Sequence, residues 1–129
     1  MPEQSKYPHP NALPNYEKAV ILREKLEKYA LDTTHVSDAY GKSSGKDKAR
    51  VFNSVLGFNQ SNWELLKDKI LEELPYHGAM IGKEDDYGKR YTVVLPIIGP
   101  NGNTADVLTA WIILHDRDYP SLASVRVII

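Results

Sequence analysis

The residues of this chain whose types could do chemistry are one histidine, a run of cations beside it, and polar side chains on two C-terminal segments. The histidine is His35, in a polar stretch from Thr33 to Ser43; the cations are Lys42, Lys46, Lys48 and Arg50. The strand-like segments near the C-terminus add Thr109, Trp111, Ser124 and Arg126, with Arg90 and Thr92 as neighbours from an earlier one. Metal-free cleavage of RNA needs such a set. A base takes the proton of the ribose 2′-hydroxyl, an acid protonates the leaving 5′-oxygen, and cations steady the charge on phosphorus. Histidine titrates near neutral pH and fills either proton-transfer role. Lysine and arginine stabilise the developing charge, and an exposed tryptophan can stack on an unpaired base.

Each residue also has a plainer reading. A loop histidine is usually structural, a tryptophan usually packs, and a basic run is usually a solvated helix face. Other chemistries find less support. The four histidines (His9, His35, His77, His115) show no metal-ligand spacing, there is no cysteine, and the glycines form no phosphate-binding loop. No metal or cofactor is therefore expected. Glu84-Asp85-Asp86, beside Tyr87-Gly88, reads as a hydrophilic turn. No Gly-x-Ser-x-Gly elbow supports a serine hydrolase.

The elements that must position these residues follow from periodicity. Four prolines among residues 1–14 (Pro2, Pro8, Pro10, Pro14) predict an extended arm or linker, followed by one domain over 15–129. Val20-Ile21-Leu22 with Leu26, Tyr29 and Ala30 predicts a helix within 16–31, with an extended Val20-Ile21 as the alternative. A second helix is expected from Ser44, burying Ala49, Phe52, Val55 and Leu56 and ending at Gly57. Ser61-Asn62-Trp63-Glu64 reads as a capping box for a third, with Trp63, Leu66, Ile70 and Leu74 inward and Pro75 as its stop.

After Gly78 the pattern changes to strands, near 79–83, 89–98, 104–115 and 122–129, joined by hairpin-length turns. Helices followed by a strand meander predict an α+β fold, with N-terminal helices packed on one face of a four-stranded antiparallel sheet. Alternation along the third strand places Leu108, Ala110, Ile112 and Leu114 under the helices. In the fourth it places Ala123, Val125, Val127 and Ile129 there. Thr109, Trp111, Ser124 and Arg126 would then share the other face with Arg90 and Thr92.

Composition sets the outer bounds. With 129 residues, 42% hydrophobic and 26% charged, the chain suits one folded domain and excludes disorder over most of its length. The stretch Ala110–Leu114 is too short for a membrane span of about 20 residues, and Met1–Lys6 lacks the apolar core of a signal peptide. No membrane insertion is expected. The net charge of −1 argues against a general polyanion binder. That charge is uneven: four cations against Asp47 give the 42–50 segment a local excess of +3.

Several runs of the sequence resemble a family of short bacterial domains of unknown function. They are Leu13-Pro14-Asn15, Lys18-Ala19-Val20-Ile21, Tyr29-Ala30-Leu31 with His35, Gly45-Lys46-Asp47-Lys48-Ala49-Arg50-Val51-Phe52 and Leu56-Gly57-Phe58. Further along are Trp63-Glu64-Leu65-Leu66, Tyr87-Gly88-Lys89-Arg90-Tyr91, Gly99-Pro100-Asn101-Gly102, Ala110-Trp111-Ile112 and Pro120-Ser121-Leu122, so the likeness runs over roughly residues 13–128. More loosely, the order of elements looks like that of the barnase/EndoU/colicin/RelE group of RNases. That resemblance implies a toxin domain of contact-dependent or polymorphic systems, neutralised by a cognate immunity protein. For some such tRNA-cleaving toxins it adds elongation factor Tu as a partner. Those domains often carry a Thr-x-Tyr-like signature on the last strand, where this chain has Ser124-Val125-Arg126.

The expectation is thus a metal-independent toxin ribonuclease acting on tRNA or another structured RNA in the cytoplasm, of a target bacterium if delivered. His35 is the expected acid or base, and Lys46 and Lys48 the phosphate ligands. Arg126 is the charge stabiliser, and Ser124 and Thr109 orient the phosphate. Lys42, Arg50, Arg90 and Trp111 complete the RNA-binding set. The alternative is a non-catalytic protein-interaction domain of a two-gene module, or an inactive remnant of the nuclease fold. The proline-rich start is compatible with a C-terminal domain excised from a longer toxin.

Overall fold

The computed structural model describes residues 7–31 and 44–128. In that part, α1 (Ser44–Val51) and α2 (Trp63–Glu73) precede four strands: β1 (Ala79–Glu84), β2 (Gly88–Ile98), β3 (Thr104–Leu114) and β4 (Ser121–Val127). The sheet is a meander in the order β1-β2-β3-β4, antiparallel throughout. The fold is the α+β arrangement that the sequence predicts, with the helical segments on one face of the sheet.

The first helical stretch is broken rather than continuous. Tyr16–Lys18 forms a 3₁₀ turn, and Val20 is extended, bridging in parallel to Ser121 beside β4. Its amide donates to the Pro120 carbonyl at 2.9 Å, and Leu122 returns a bond to Val20 at 3.0 Å. A wide π-helical turn, Lys25–Ala30, then brings Leu26, Ala30 and Leu31 into the core. The β-branched pair Val20-Ile21 thus serves the sheet edge, as its intrinsic preference favours.

α1 runs on into a second π-helical turn, Phe52–Leu56, and ends as expected at Gly57 (φ 85°). Its terminal carbonyls are met from the sheet. Asn101 and Asn103 each donate a side-chain N–H to the Val55 carbonyl at 3.1 Å, and the Asn101 amide reaches Leu56 O at 3.3 Å. Gly99 makes this approach possible, since a Cβ there would stand 2.0 Å from Leu56 O. The β2–β3 turn therefore supplies the helix cap. Before α2 the cap lies two residues earlier than predicted. Asn59 Oδ1 accepts from the Ser61 amide and Asn62 Oδ1 from the Asn59 amide, opening a 3₁₀ turn, Gln60–Asn62, ahead of α2.

The core joins Leu26, Phe52, Leu56, Phe58, Leu66, Ile70 and Leu74 from the helical layer to Tyr91, Val93, Leu95, Ile97, Val107, Trp111, Leu122, Val125 and Val127 from the sheet. Phe52 and Phe58 meet edge to face, 6.5 Å between centroids. The proline-rich start is docked where it is described. Leu13 is buried, the His9 amide donates to Pro75 O and the Ala79 amide to Asn11 O, each at 2.8 Å.

The face of β3 is opposite to the predicted one. Val107, Thr109 and Trp111 point under the helices, while Leu108, Ala110, Ile112 and Leu114 point away. Both faces of β3 are largely apolar, so alternation alone gave no sign. What decides it is a bonded polar pair. Thr109 Oγ1 donates to the Val93 carbonyl and accepts from Trp111 Nε1–H, both at 2.8 Å, so two buried polar groups satisfy each other. In β4, a bulge pairs Ala110 with Ser124 but Trp111 with Leu122. The extra residue, Ala123, lets Leu122 and Val125 both face inward although they are three apart. Val125 and Val127 are inward as expected; Leu122 replaces Ala123 there.

Candidate functional site

The register assembles the outer face of the sheet row by row. Met80, Thr92, Ala110 and Ser124 form one row across all four strands; Val94, Leu108 and Arg126 form the next. On the other side of the first row stand Arg90, Ile112 and Ser121. Thr92 and Ser124 flank Ala110 from β2 and β4, about 10 Å apart at the usual strand spacing. The small Ala110 side chain leaves a shallow floor between two hydroxyls. Arg126 follows Ser124 two residues along β4, on the same face, and both are exposed.

The two arginines of this face differ in state. Arg90 Nη2 donates to Asp85 Oδ2 at 3.2 Å. Asp85 Oδ1 in turn accepts the Tyr87 amide at 3.0 Å and the Gly88 amide at 3.3 Å. Those amides, Tyr87 first, together with Arg90 hold the Asp85 carboxyl below the usual carboxylate range, against an opposing desolvation effect. His115 Nε2 meets the Asp85 carbonyl at 2.7 Å and latches the same turn to the end of β3. Arg90 is thus neutralised by a turn built to hold one carboxylate. Arg126 forms no ion pair among the described residues.

The sequence-predicted residues fall into four groups. Arg90, Ser124 and Arg126 share the outer face with Thr92, as expected. Thr109 and Trp111 do not: at 0% and 1% exposure they are core residues, and a buried indole cannot stack on a base. Lys48, half-buried, and exposed Arg50 belong to the helical layer, where α1 packs beside β4. His35 and Lys42 lie outside the described residues, as does the side chain of Lys46. The other three histidines have structural partners: His9 Nδ1 accepts the Asn11 amide, His77 pairs with Glu73 at 2.9 Å, and His115 holds Asp85.

Sequence reasoning missed the apolar part of this face. Met80, Val94 and Ile98 of β1 and β2 are 71%, 41% and 55% exposed; Ile128, which alternation along the fourth strand already puts beside Ser124 and Arg126, is 40% exposed. The signal that would have found them is the two-sided apolar alternation of β2 and β3, which a single helical layer cannot cover twice. Among the described residues, no helix is long and apolar enough to cross a membrane.

Fold and face together define a two-layer α+β domain whose sheet is helix-covered on one side and, among the described residues, open on the other. Residues 12–128 match the family model described as Domain of unknown function (DUF6883), and the chain belongs to that family. No curated protein and no solved structure matches it.

Proposed function

We propose that this domain is a metal-independent ribonuclease of toxin type, cutting tRNA or another structured RNA. The observation that carries the reading is the open sheet face, on which Ser124, Thr92 and Arg126, which forms no ion pair among the described residues, stand together at register-fixed positions. Rigid strands place such groups more reliably than loops do. Arg126 stabilises the negative charge that builds on the phosphorus oxygens, and Ser124 and Thr92 orient the phosphate by hydrogen bonds. His35 carries the proton from the 2′-hydroxyl, or delivers one to the departing 5′-oxygen. The 2′-oxygen bonds to phosphorus as the P–O5′ bond breaks, giving a 2′,3′-cyclic phosphate and a 5′-hydroxyl. Lys46 and Lys48 contact flanking phosphates. Thr109 and Trp111 have no part in this site; they hold the sheet that carries it.

The partners of this reading are the RNA, a cognate immunity protein and, for tRNA, elongation factor Tu, with action in the cytoplasm of a target bacterium. Induced expression with a gel of total tRNA tests it. Cleavage is expected with wild type, retained in EDTA, and lost with His35→Ala, and the products should carry cyclic phosphate ends. Intact RNA with equally harmless expression of both proteins would sink the enzyme reading. One observation favours a second reading, a protein-interaction domain: the exposed Val94, Ile98 and Ile128 on the same face. Under it, a protein partner binds that face and RNA stays whole.

A further inference from the structure

We infer that the RNA does not stay on the open face but crosses the β4 edge onto the helical layer, held there by a cationic strip. The inference rests on the ribonuclease reading and adds where the polymer lies and which way it runs. Its ground is how charge is distributed over the fold. β1 and β4 are the opposite edges of the sheet. The Lys25–Ala30 turn and α1 both pack beside β4 and against each other, whereas α2 lies over β2. The described side chains of residues 23–31 and 48–50 comprise five cations and two acids. From α2 through the β1–β2 turn, residues 63–86, there are three cations and seven acids. The net charge of −1 therefore hides helical segments beside β4 that are net basic and an α2-to-turn segment that is net acidic.

The cations on the basic side are largely uncommitted. Arg23 is spent on Glu27, which it grips at 3.0 and 3.1 Å, and on the Trp63 ring 5.2 Å away. Lys25, Lys28, Lys48 and Arg50 form no ion pair among the described residues, and neither does Arg126 around the edge. On the acidic side Glu73 and Asp85 are paired, and the other five carboxylates, which form no ion pair among the described residues, would repel a phosphate chain leaving over β1. A polyphosphate engaged at Arg126 thus has one favourable exit, past β4 toward Lys28 and Arg50. The ligand class is an RNA of several nucleotides, since a single nucleotide reaches only one side of the edge.

The test measures binding of labelled bulk bacterial tRNA by fluorescence anisotropy over a salt series, with tRNA cleavage assayed on the same preparations. The double variant Lys28→Glu with Arg50→Glu removes two phosphate contacts. The slope of log affinity against log salt should fall by about 1.5–2. The matched variant Lys69→Glu with Lys83→Glu, on the acidic side, should leave the slope unchanged, and melting curves check that both fold. An unchanged slope in the first variant, with tRNA still bound and cut, overturns the strip and spares the ribonuclease reading. Equal slope losses in both variants also overturn it. Polyglutamate displacing tRNA as well as unlabelled tRNA does would assign the strip to an acidic protein instead. Should wild type neither bind nor cut tRNA, both inferences fall together.

Discussion

The two faces of the sheet are made from the same strands and nearly the same residue types, yet they answer to different physics. On the covered face, Tyr91, Val93, Leu95 and Ile97 of β2 meet Val107, Thr109 and Trp111 of β3 beneath the helices. On the open face, Val94 and Leu108 are paired in register, Val94 exposed and Leu108 half-buried, with no second layer above them among the described residues. Polarity does not separate the faces, because a threonine lies at the centre of the covered one. Hydrogen-bond closure does. Thr109 can be buried because Val93 O and Trp111 Nε1 complete its bonding, whereas Ser124 and Arg126 have no such partners among the described residues and stay exposed. A polar residue on a sheet face is therefore a site candidate only when nothing in the fold already satisfies it.

The strongest way to break this comparison is to truncate one residue on each face. Trp111→Ala should cost about 3–5 kcal/mol, because it empties the largest fully buried side chain among the described residues and removes the N–H that Thr109 Oγ1 accepts. Urea denaturation measures it. Arg126→Ala, exposed on the open face, should move stability by less than about 0.5 kcal/mol. It should nonetheless slow RNA cleavage by about 10²–10³-fold if it stabilises the transition-state charge. Comparable stability losses for the two variants would show that the faces are not distinct in the way argued.

A sharper cut lies within the covered face. Thr109→Val keeps the shape but leaves Trp111 Nε1–H without an acceptor in a dry environment, at a cost of about 1–3 kcal/mol. Adding Trp111→Phe removes the stranded donor, so the double variant should lose less than the sum of the singles in a double-mutant cycle. Strict additivity would mean that the bond does not decide the face.

The sequence made the element order legible, and three of the four strands begin and end within a residue of their predicted bounds. Hairpin turns and helix stops are local signals, and Gly57 and Pro75 act where expected. Within the sheet, two things were not legible. The orientation of β3 depends on a bond between side chains two residues apart, and the swing at Leu122 depends on a one-residue bulge; neither leaves a mark in alternation. The candidate site was half legible for the same reason. Arg90, Ser124 and Arg126 fall on one face because β2 and the part of β4 beyond its bulge alternate cleanly. Thr109 and Trp111 were misplaced because a hydroxyl beside an indole looks like a site from the sequence and is a closed core pair in the fold.

The smallest effects belong to the turns that border the open face, and they separate a built contact from an incidental one by pH. Asp85 is held below its usual range chiefly by the Tyr87 and Gly88 amides, so its stabilising effect is full above the ordinary carboxylate range of about 3.9. That effect is lost as pH falls through the lower folded value. Asp85→Asn should flatten the acid limb of the melting-temperature profile and loosen Arg90, its partner on the open face. Asp118 is shifted the same way by Lys18, but that pair is 59% and 68% exposed, joined by one 2.8 Å bond in high dielectric. Lys18→Ala should therefore leave the urea midpoint where it is at physiological salt, with any change appearing only at low ionic strength. If Lys18→Ala matched Asp85→Asn in its acid response, backbone amides would be no better than a solvated lysine at fixing a carboxylate. The β1–β2 turn would then have no claim to positioning Arg90.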